Sequence, residues 1–270
     1  MPGALMAQNQ GIRFGVTPAF LHDQHAVLEK WRRYLIRRMD QKITFIRRDS
    51  YRETMDLIRL NQLDFAWICD YPFLELKNAV KLLVVPLYKG RPAYRSYLIV
   101  NAKDTVSNGY ADLRGKIFAY ADPYSNTGFL APRYEIQMQG DDPEHYFRKT
   151  FFTWSHRKVI EAVASGLAHA GAVDSYVWDS LERVEPELTG RTRIIWRSPE
   201  HGFPPLVAHT ANVNDNVFRK LQKILLGMSS DPEGQEILAK LGLDGFSIQK
   251  RELYNSVADM MRLFGEYAQQ

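Results

Sequence analysis

The feature that most constrains this chain is an alternation of short apolar runs with amphipathic stretches, played out twice along its length. Gly11 to Val16 reads as a buried strand, Thr17-Pro18 turns the chain, and His22 to Met39 reads as a helix. Ile43 to Ile46 is a second strand. Ser50-Tyr51-Arg52-Glu53 then fits a capping box, in which the Ser50 hydroxyl and the Glu53 carboxylate cover free amides at a helix start. That helix ends near Asn61, and Asp64 to Cys69 supplies a third strand. Strands and helices alternating at this spacing predict a parallel sheet with helices on both faces.

After further strands at Lys81 to Val85 and Tyr97 to Val100, the pattern restarts. Lys116 to Tyr120 is a strand, Gly128 to Gln139 a helix, Phe151-Phe152 a short strand and Ser155 to Ser165 a helix. Ala170 to Val173 and Ser175 to Val184 repeat strand and helix. Arg193 to Trp196 and Leu206 to Ala208 are strands, and three helices follow to the C-terminus. No low-complexity linker divides the halves. The expected architecture is α/β: two lobes around a hinged cleft, with mixed or parallel sheets and the second lobe inserted into the first. Residues 1–10 read as a disordered leader, 11–102 with 205–270 as lobe 1, and 103–204 as lobe 2, with crossovers near 100–104 and 197–206. Ligands of open α/β sheets gather where loops leave the carboxyl ends of strands. The loops after Val16, Ile46, Cys69, Tyr120, Phe152 and Val173 therefore face one cleft.

Several classes are excluded by what the chain lacks. The longest apolar run, Lys81 to Tyr88, is far short of the ~20 residues of a membrane span. Cys69 is the single cysteine, so neither an internal disulfide nor a cysteine zinc cluster forms. Arg32-Arg33, Arg37-Arg38 and Arg47-Arg48 cluster basic charge, but Val27, Leu28, Trp31 and Leu35 form an apolar stripe that leaves the helix's arginines in solvent. With no nucleic-acid motif beside them, no nucleic-acid partner is expected. There is no phosphate-binding lysine loop, no dinucleotide glycine fingerprint, no HExxH and no GxSxG, so neither a cofactor nor an enzymatic reaction is expected. Met1 to Gln10 hold no basic segment followed by an apolar one; a secretion signal has been removed or was never present.

The most informative segment is Tyr120-Ala121-Asp122-Pro123-Tyr124-Ser125-Asn126-Thr127-Gly128, which follows a strand and opens a helix. Two hydroxyls and an amide there join the free N–H groups of a helix start, a place suited to an anion and equally to ordinary capping. In Thr153-Trp154-Ser155-His156, Ser155 caps the next helix and His156 stands in its first turn, where an imidazole donates to an oxyanion or serves a structural role.

Taken in order, Asp49-Ser50-Tyr51, Phe65-Ala66-Trp67, Tyr94-Arg95-Ser96, Asp122-Pro123-x-Ser125-Asn126-Thr127-Gly128-x-Leu130-x-Pro132, Ser155-His156, Gly171-Ala172-Val173-Asp174 and Ser198-Pro199 resemble the phosphonate/phosphite periplasmic binding proteins of ABC transporters. The resemblance spans residues 12 to 210. It implies a type II periplasmic-binding fold, a periplasmic location and a monomer. It also implies that Ser125, Asn126, Thr127 and His156 hold an oxyanion while Tyr51 and Tyr94 line the pocket. Two departures stand out. The family's Ser-Thr-Ser loop is here Ser125-Asn126-Thr127, and the acid that aminophosphonate binders carry before the return proline is missing from Gly202-Phe203-Pro204-Pro205. The second departure argues against aminoethylphosphonate.

Cys69 adds a sharper expectation. It reads either as a small buried hydrophobe or as a soft ligand for a thiophilic centre. Trp67-Ile68-Cys69-Asp70 is similar to the arsenite-sensing branch of the superfamily, which partners with a histidine kinase. The expectation is therefore an arsenite sensor with Cys69 on arsenic, its thiolate favoured by a nearby histidine or helix N-terminus. The alternative is the phosphite-, phosphate- or phosphonate-binding component of an ABC uptake transporter, with a permease as partner. An enzyme on the same two-lobed fold, with His156 as acid or base, is a further rival. The effector domain of a transcription regulator is another, opposed by the lack of a DNA-binding module before Gly11.

Overall fold

The computed structural model describes residues 11–17 and 25–267. The expected leader over residues 1–10 and the start of the first helix at His22 lie outside the described residues. Along the chain run β1 (Ile12–Val16), α1 (His25–Met39), β2 (Ile43–Arg47), α2 (Tyr51–Arg59), β3 (Phe65–Trp67), α3 (Asp70–Glu75) and β4 (Val80–Leu87). There follow β5 (Ala93–Tyr94), β6 (Ser96–Asn101), β7 (Ile117–Tyr120), α4 (Ala131–Met138), β8 (Lys149–Phe152), α5 (His156–Ser165), β9 (Ala170–Asp174) and α6 (Ser175–Val184). The chain continues with α7 (Pro186–Thr189), β10 (Thr192–Arg197), β11 (His201–Gly202), β12 (Leu206–His209), α8 (Asp215–Leu226), α9 (Pro232–Leu241), β13 (Gly245–Ser247) and α10 (Asn255–Leu263).

These strands form two mixed sheets. The first has the order β13-β4-β12-β3-β1-β2 and the second β10-β6-β9-β7-β8. In each, the parallel pairs come from strand–helix–strand units: β1 with β2 and β3, and β7 with β8 and β9. The strands that enter or return from a crossover pair antiparallel, β12 against β3 and β4, and β6 against β9 and β10. The strongly apolar β6 reads from sequence as part of the first lobe because it follows β4 closely. It pairs inside the second sheet, so the chain has already crossed by Ser96, several residues before the expected 100–104. β10 lies in the second sheet and β12 in the first, so the chain returns between Arg197 and Leu206. The crossovers are themselves joined: β5 and β11 pair antiparallel, His201 opposite Tyr94 and Gly202 opposite Ala93.

The helix faces follow the sequence pattern. Leu28, Trp31, Tyr34, Leu35 and Met39 of α1 are buried, and Trp31 meets Phe14, Phe45 and Trp67 edge-on. Its outward arginines are neutralised within the chain, Arg32 by Glu29, Arg37 by Glu233 and Arg38 by Asp231. At the start of α2 the Ser50 hydroxyl accepts from the Glu53 amide at 3.2 Å, the first half of the expected capping box.

Candidate ligand-binding site

The loop after β7 builds the centre of the site. Ser125 takes an extended conformation, its hydroxyl accepts from the Gly128 amide at 3.0 Å, and a π-helical turn over Asn126–Leu130 leads into α4. Ser125, Asn126 and Thr127 are fully buried. The turn tolerates no side chain at Gly128: a Cβ there would lie 2.5 Å from Ala121 Cβ and 2.9 Å from His156 Cε1. From the neighbouring sheet strand, the Ser96 hydroxyl donates to the Thr127 carbonyl at 2.6 Å.

His156 reaches this turn from the loop after β8. The chain passes through Trp154 at φ +63°, a left-handed conformation that bulky residues rarely adopt. The Trp154 amide holds that bend by donating to the Ala121 carbonyl at 2.7 Å. His156 then opens α5 with Nδ1 accepting from the Asp174 backbone amide at 3.1 Å. That bond leaves the proton on Nε2 of the neutral ring. Burial pushes the imidazole pKa down to about 3, so near neutral pH His156 is an uncharged Nε2–H donor. Nε2 lies 3.4 Å from both Tyr51 Oη and Ser125 Oγ. With Nδ1 occupied and protonation disfavoured, the ring is unsuited to general acid–base work at neutral pH.

Loops of the first sheet supply the opposite wall. Tyr51 begins α2, and its backbone amide donates to Asp122 Oδ2 at 3.2 Å. Asp70, at the start of α3, is entirely buried and accepts four hydrogen bonds. Cys69 Sγ at 3.0 Å, Tyr94 Oη at 2.9 Å and the Tyr71 amide at 2.9 Å donate to Oδ1, and Asn126 Nδ2 donates to Oδ2 at 2.8 Å. Burial outweighs these donors and raises the Asp70 pKa to about 6.

Cys69 corrects one expectation. Its thiol stands at a helix N-terminus, but burial and the adjoining Asp70 carboxyl push its pKa up, away from the thiolate. Arsenic ligation needs the thiolate, and a carboxylate already occupies the S–H. Among the described residues no cluster of three or more His, Cys, Asp or Glu is arranged to hold a metal ion.

All seven residues singled out from sequence are buried and meet here. Tyr51, His156 and Ser125 form one contact chain, while Cys69, Tyr94 and Asn126 gather on Asp70. Thr127 follows in the turn, its Oγ1 buried with no partner. The sequence reading passed over Asp70, Asp122 and Asp174 as functional groups. Asp174 caps α6 through Oδ1, which accepts from the Tyr176 and Val177 amides. The available signal was positional: Asp70 and Asp174 both follow an apolar strand and open a helix at the carboxyl edge of a sheet. Chemically, the site offers neutral donors from Thr127, Ser125, Tyr51 and His156. None of the hydrogen bonds described for its residues comes from Lys or Arg.

Comparison with known proteins identifies the family of the chain. Residues 14–254 match the family described as the phosphonate periplasmic substrate-binding proteins of ABC transporters. The chain is 25% identical over 251 residues to the phosphonates-binding periplasmic protein of Escherichia coli, covering 89% of this chain and 73% of that protein. A probable ABC transporter phosphite binding protein of Prochlorococcus marinus is 24% identical over 174 residues, covering 62% of this chain and 59% of that one. Among solved structures, a binding protein component of an ABC phosphonate transporter from Pseudomonas aeruginosa superposes with a TM-score of 0.85 at 22% identity, over 94% of this chain and 85% of its own. A Prochlorococcus marinus protein in complex with methylphosphonate gives 0.85 at 20% identity, over 96% and 99%.

Proposed function

Because the chain belongs to the family of periplasmic substrate-binding proteins of phosphonate ABC transporters, we propose that it captures a phosphonate- or phosphite-type oxyanion between its two sheets and delivers it to an ABC permease. The observation that carries this reading is the tautomer of His156. An imidazole whose Nδ1 is filled by a backbone amide presents a fixed Nε2–H to the Ser125–Thr127 turn. Preorganised neutral donors bind a charged ligand for ~1.5–3 kcal/mol per hydrogen bond without a counter-ion. Tyr51 and Asp70 come from loops of the first sheet, and Ser125, Thr127 and His156 from loops of the second. A ligand touching both walls favours the closed form, and closure is the signal a permease reads.

The names of the relatives support this ligand class over arsenite. One is a phosphonates-binding protein, one a probable phosphite binding protein and one, from Mycolicibacterium smegmatis, a phosphate-import protein. The arsenite reading rests on Cys69 alone, whose thiol is engaged with Asp70, and the kinase partner falls with it. An aminophosphonate stays disfavoured: four donors already occupy Asp70, and no acid stands in Gly202 to Pro205. The test is isothermal calorimetry with phosphite, methylphosphonate, phosphate, 2-aminoethylphosphonate and arsenite. Phosphite or methylphosphonate should bind most tightly. Binding of arsenite alone, or of none of the five, would overturn the proposal.

A further inference from the structure

Three side-chain atoms of residues in this site are buried without a partner: Thr127 Oγ1, Asn126 Oδ1 and Asp174 Oδ2. Asp174 is 1% exposed. Its position is fixed on two sides. Its backbone amide donates to His156 Nδ1 at 3.1 Å, and in the sheet it stands opposite Ser96, whose hydroxyl holds the Thr127 carbonyl at 2.6 Å. The Asp174 backbone is thus anchored to the imidazole directly and to the Ser125–Thr127 turn through Ser96. Oδ1 is consumed by the two amides of α6, so Oδ2 is the atom left for a ligand.

We propose that Asp174 is a ligand contact that enters the complex as the neutral acid, its Oδ2–H donating to an oxyanion oxygen beside Thr127 Oγ1. Capture of the anion is then coupled to a proton on this carboxyl. The inference rests on the oxyanion reading of the site. An ionised carboxylate cannot face an oxyanion without repulsion, and two like charges held close drive one group to take a proton.

The groups facing Asp174 reinforce this. Asp70 on α3 and Asp179 on α6 add negative potential. The phenols of Tyr51, Tyr88, Tyr94 and Tyr176 also feel its charge, and each has its pKa raised, so all four stay neutral in the working range. His156 is neutral as well. Among the described residues no cation is in position to hold Asp174 ionised. Burial, opposed by its two amide donors and helped by Asp70, lifts its pKa to about 8 even without a ligand. Below that pH the acid is ready-made. Above it, binding must draw one proton from solvent to form the Oδ2–H bond, and affinity declines as pH rises.

The experiment is calorimetric titration of methylphosphonate between pH 7 and 10, in paired buffers of different ionisation enthalpy, with wild type, Asp174→Asn and Asp174→Ala. Wild-type affinity should fall about tenfold per pH unit above roughly pH 8, with uptake of about one proton more than Asp174→Asn takes up. Asp174→Asn carries a permanent N–H donor and still caps α6, so its affinity should lack that fall and exceed wild type at pH 9.5. Asp174→Ala should bind at least tenfold more weakly at pH 7. Carbon-13 carboxyl spectra of the wild-type complex at pH 9 should show Asp174 protonated. Identical pH profiles and proton uptake in wild type and Asp174→Asn, or an ionised Asp174 in the complex, would overturn the assignment while leaving the oxyanion reading intact. Wild type that binds neither methylphosphonate nor phosphite at any pH would sink both.

Discussion

Asn126 donates its side-chain amide to Asp70 Oδ2 at 2.8 Å, and through that bond the Ser125–Thr127 turn after β7 is tied to the start of α3. Where the resemblance implies a threonine in the middle of the loop, this chain places Asn126, a residue long enough to reach a buried carboxyl. The departure in the loop and the acid after Cys69 are two halves of one contact. Asn126→Ala should weaken methylphosphonate binding about tenfold, the scale of a hydrogen bond to a charged group. Calorimetry checks this, and unchanged affinity would make the contact irrelevant to closure.

Thr127 offers a buried hydroxyl with no protein partner. Thr127→Ala should cost ~1–3 kcal/mol of oxyanion affinity. Its melting temperature without ligand should hold or rise, because an unpaired buried polar group is removed. A variant that binds normally would place the ligand elsewhere.

Gly128→Ala forces a methyl group to within 2.5 Å of Ala121 Cβ and 2.9 Å of His156 Cε1. Overpacking of this kind costs ~1–3 kcal/mol of stability, read by urea denaturation. The displaced imidazole should lower oxyanion affinity as well. Wild-type stability and affinity together would contradict the tight approach of the turn to His156.

Cys69 is 1% exposed, and burial with Asp70 keeps its thiol protonated. A thiol reagent should therefore modify it slowly, and more slowly still with saturating methylphosphonate, because only opening of the cleft exposes the sulfur. Equal rates with and without ligand would argue against ligand-stabilised closure.

His156 and Asp174 should contribute opposed pH terms to stability. His156 has its pKa lowered to about 3, so its contribution is present above the unfolded value near 6.5 and is lost as pH falls toward 3. Asp174 has its pKa raised to about 8, so its contribution is full below the unfolded carboxyl value and is lost as pH rises toward 8. Between pH 6.5 and 8 the histidine term is constant and the acid's term declines. The wild-type melting temperature should drop across that interval and that of Asp174→Asn should drop less. Parallel curves would remove Asp174 as the source.

The sheets were legible because β1, β3, β7 and β9 are almost wholly apolar, and β3, β7 and β9 each run into a helix or a capping residue. β13 escaped notice because Gly245–Ser247 is three residues long and has no alternation to read. β6 was assigned to the wrong side because apolar strands carry no mark of which sheet they join. The capped turn that opens the helix after β7 was visible in Ser125, Asn126 and Thr127. Asp70 and Asp174 were not, since an acid at a helix start is usually a solvated cap. Only the closing of loops from both sheets over them turns ordinary caps into buried carboxyls.

The pairing of β5 with β11 has a mechanical consequence. Two separate connectors would let the halves shear, tilt and twist independently. Strands bonded at His201–Tyr94 and Gly202–Ala93 are expected to bend together, with rotation about a single axis as the soft motion. Tyr94 belongs to that bonded pair and also donates to Asp70 in the site. Tyr94 is thus rooted in the connector pair while its hydroxyl reaches Asp70, so on the proposed reading a ligand held in the cleft acts on the axle directly.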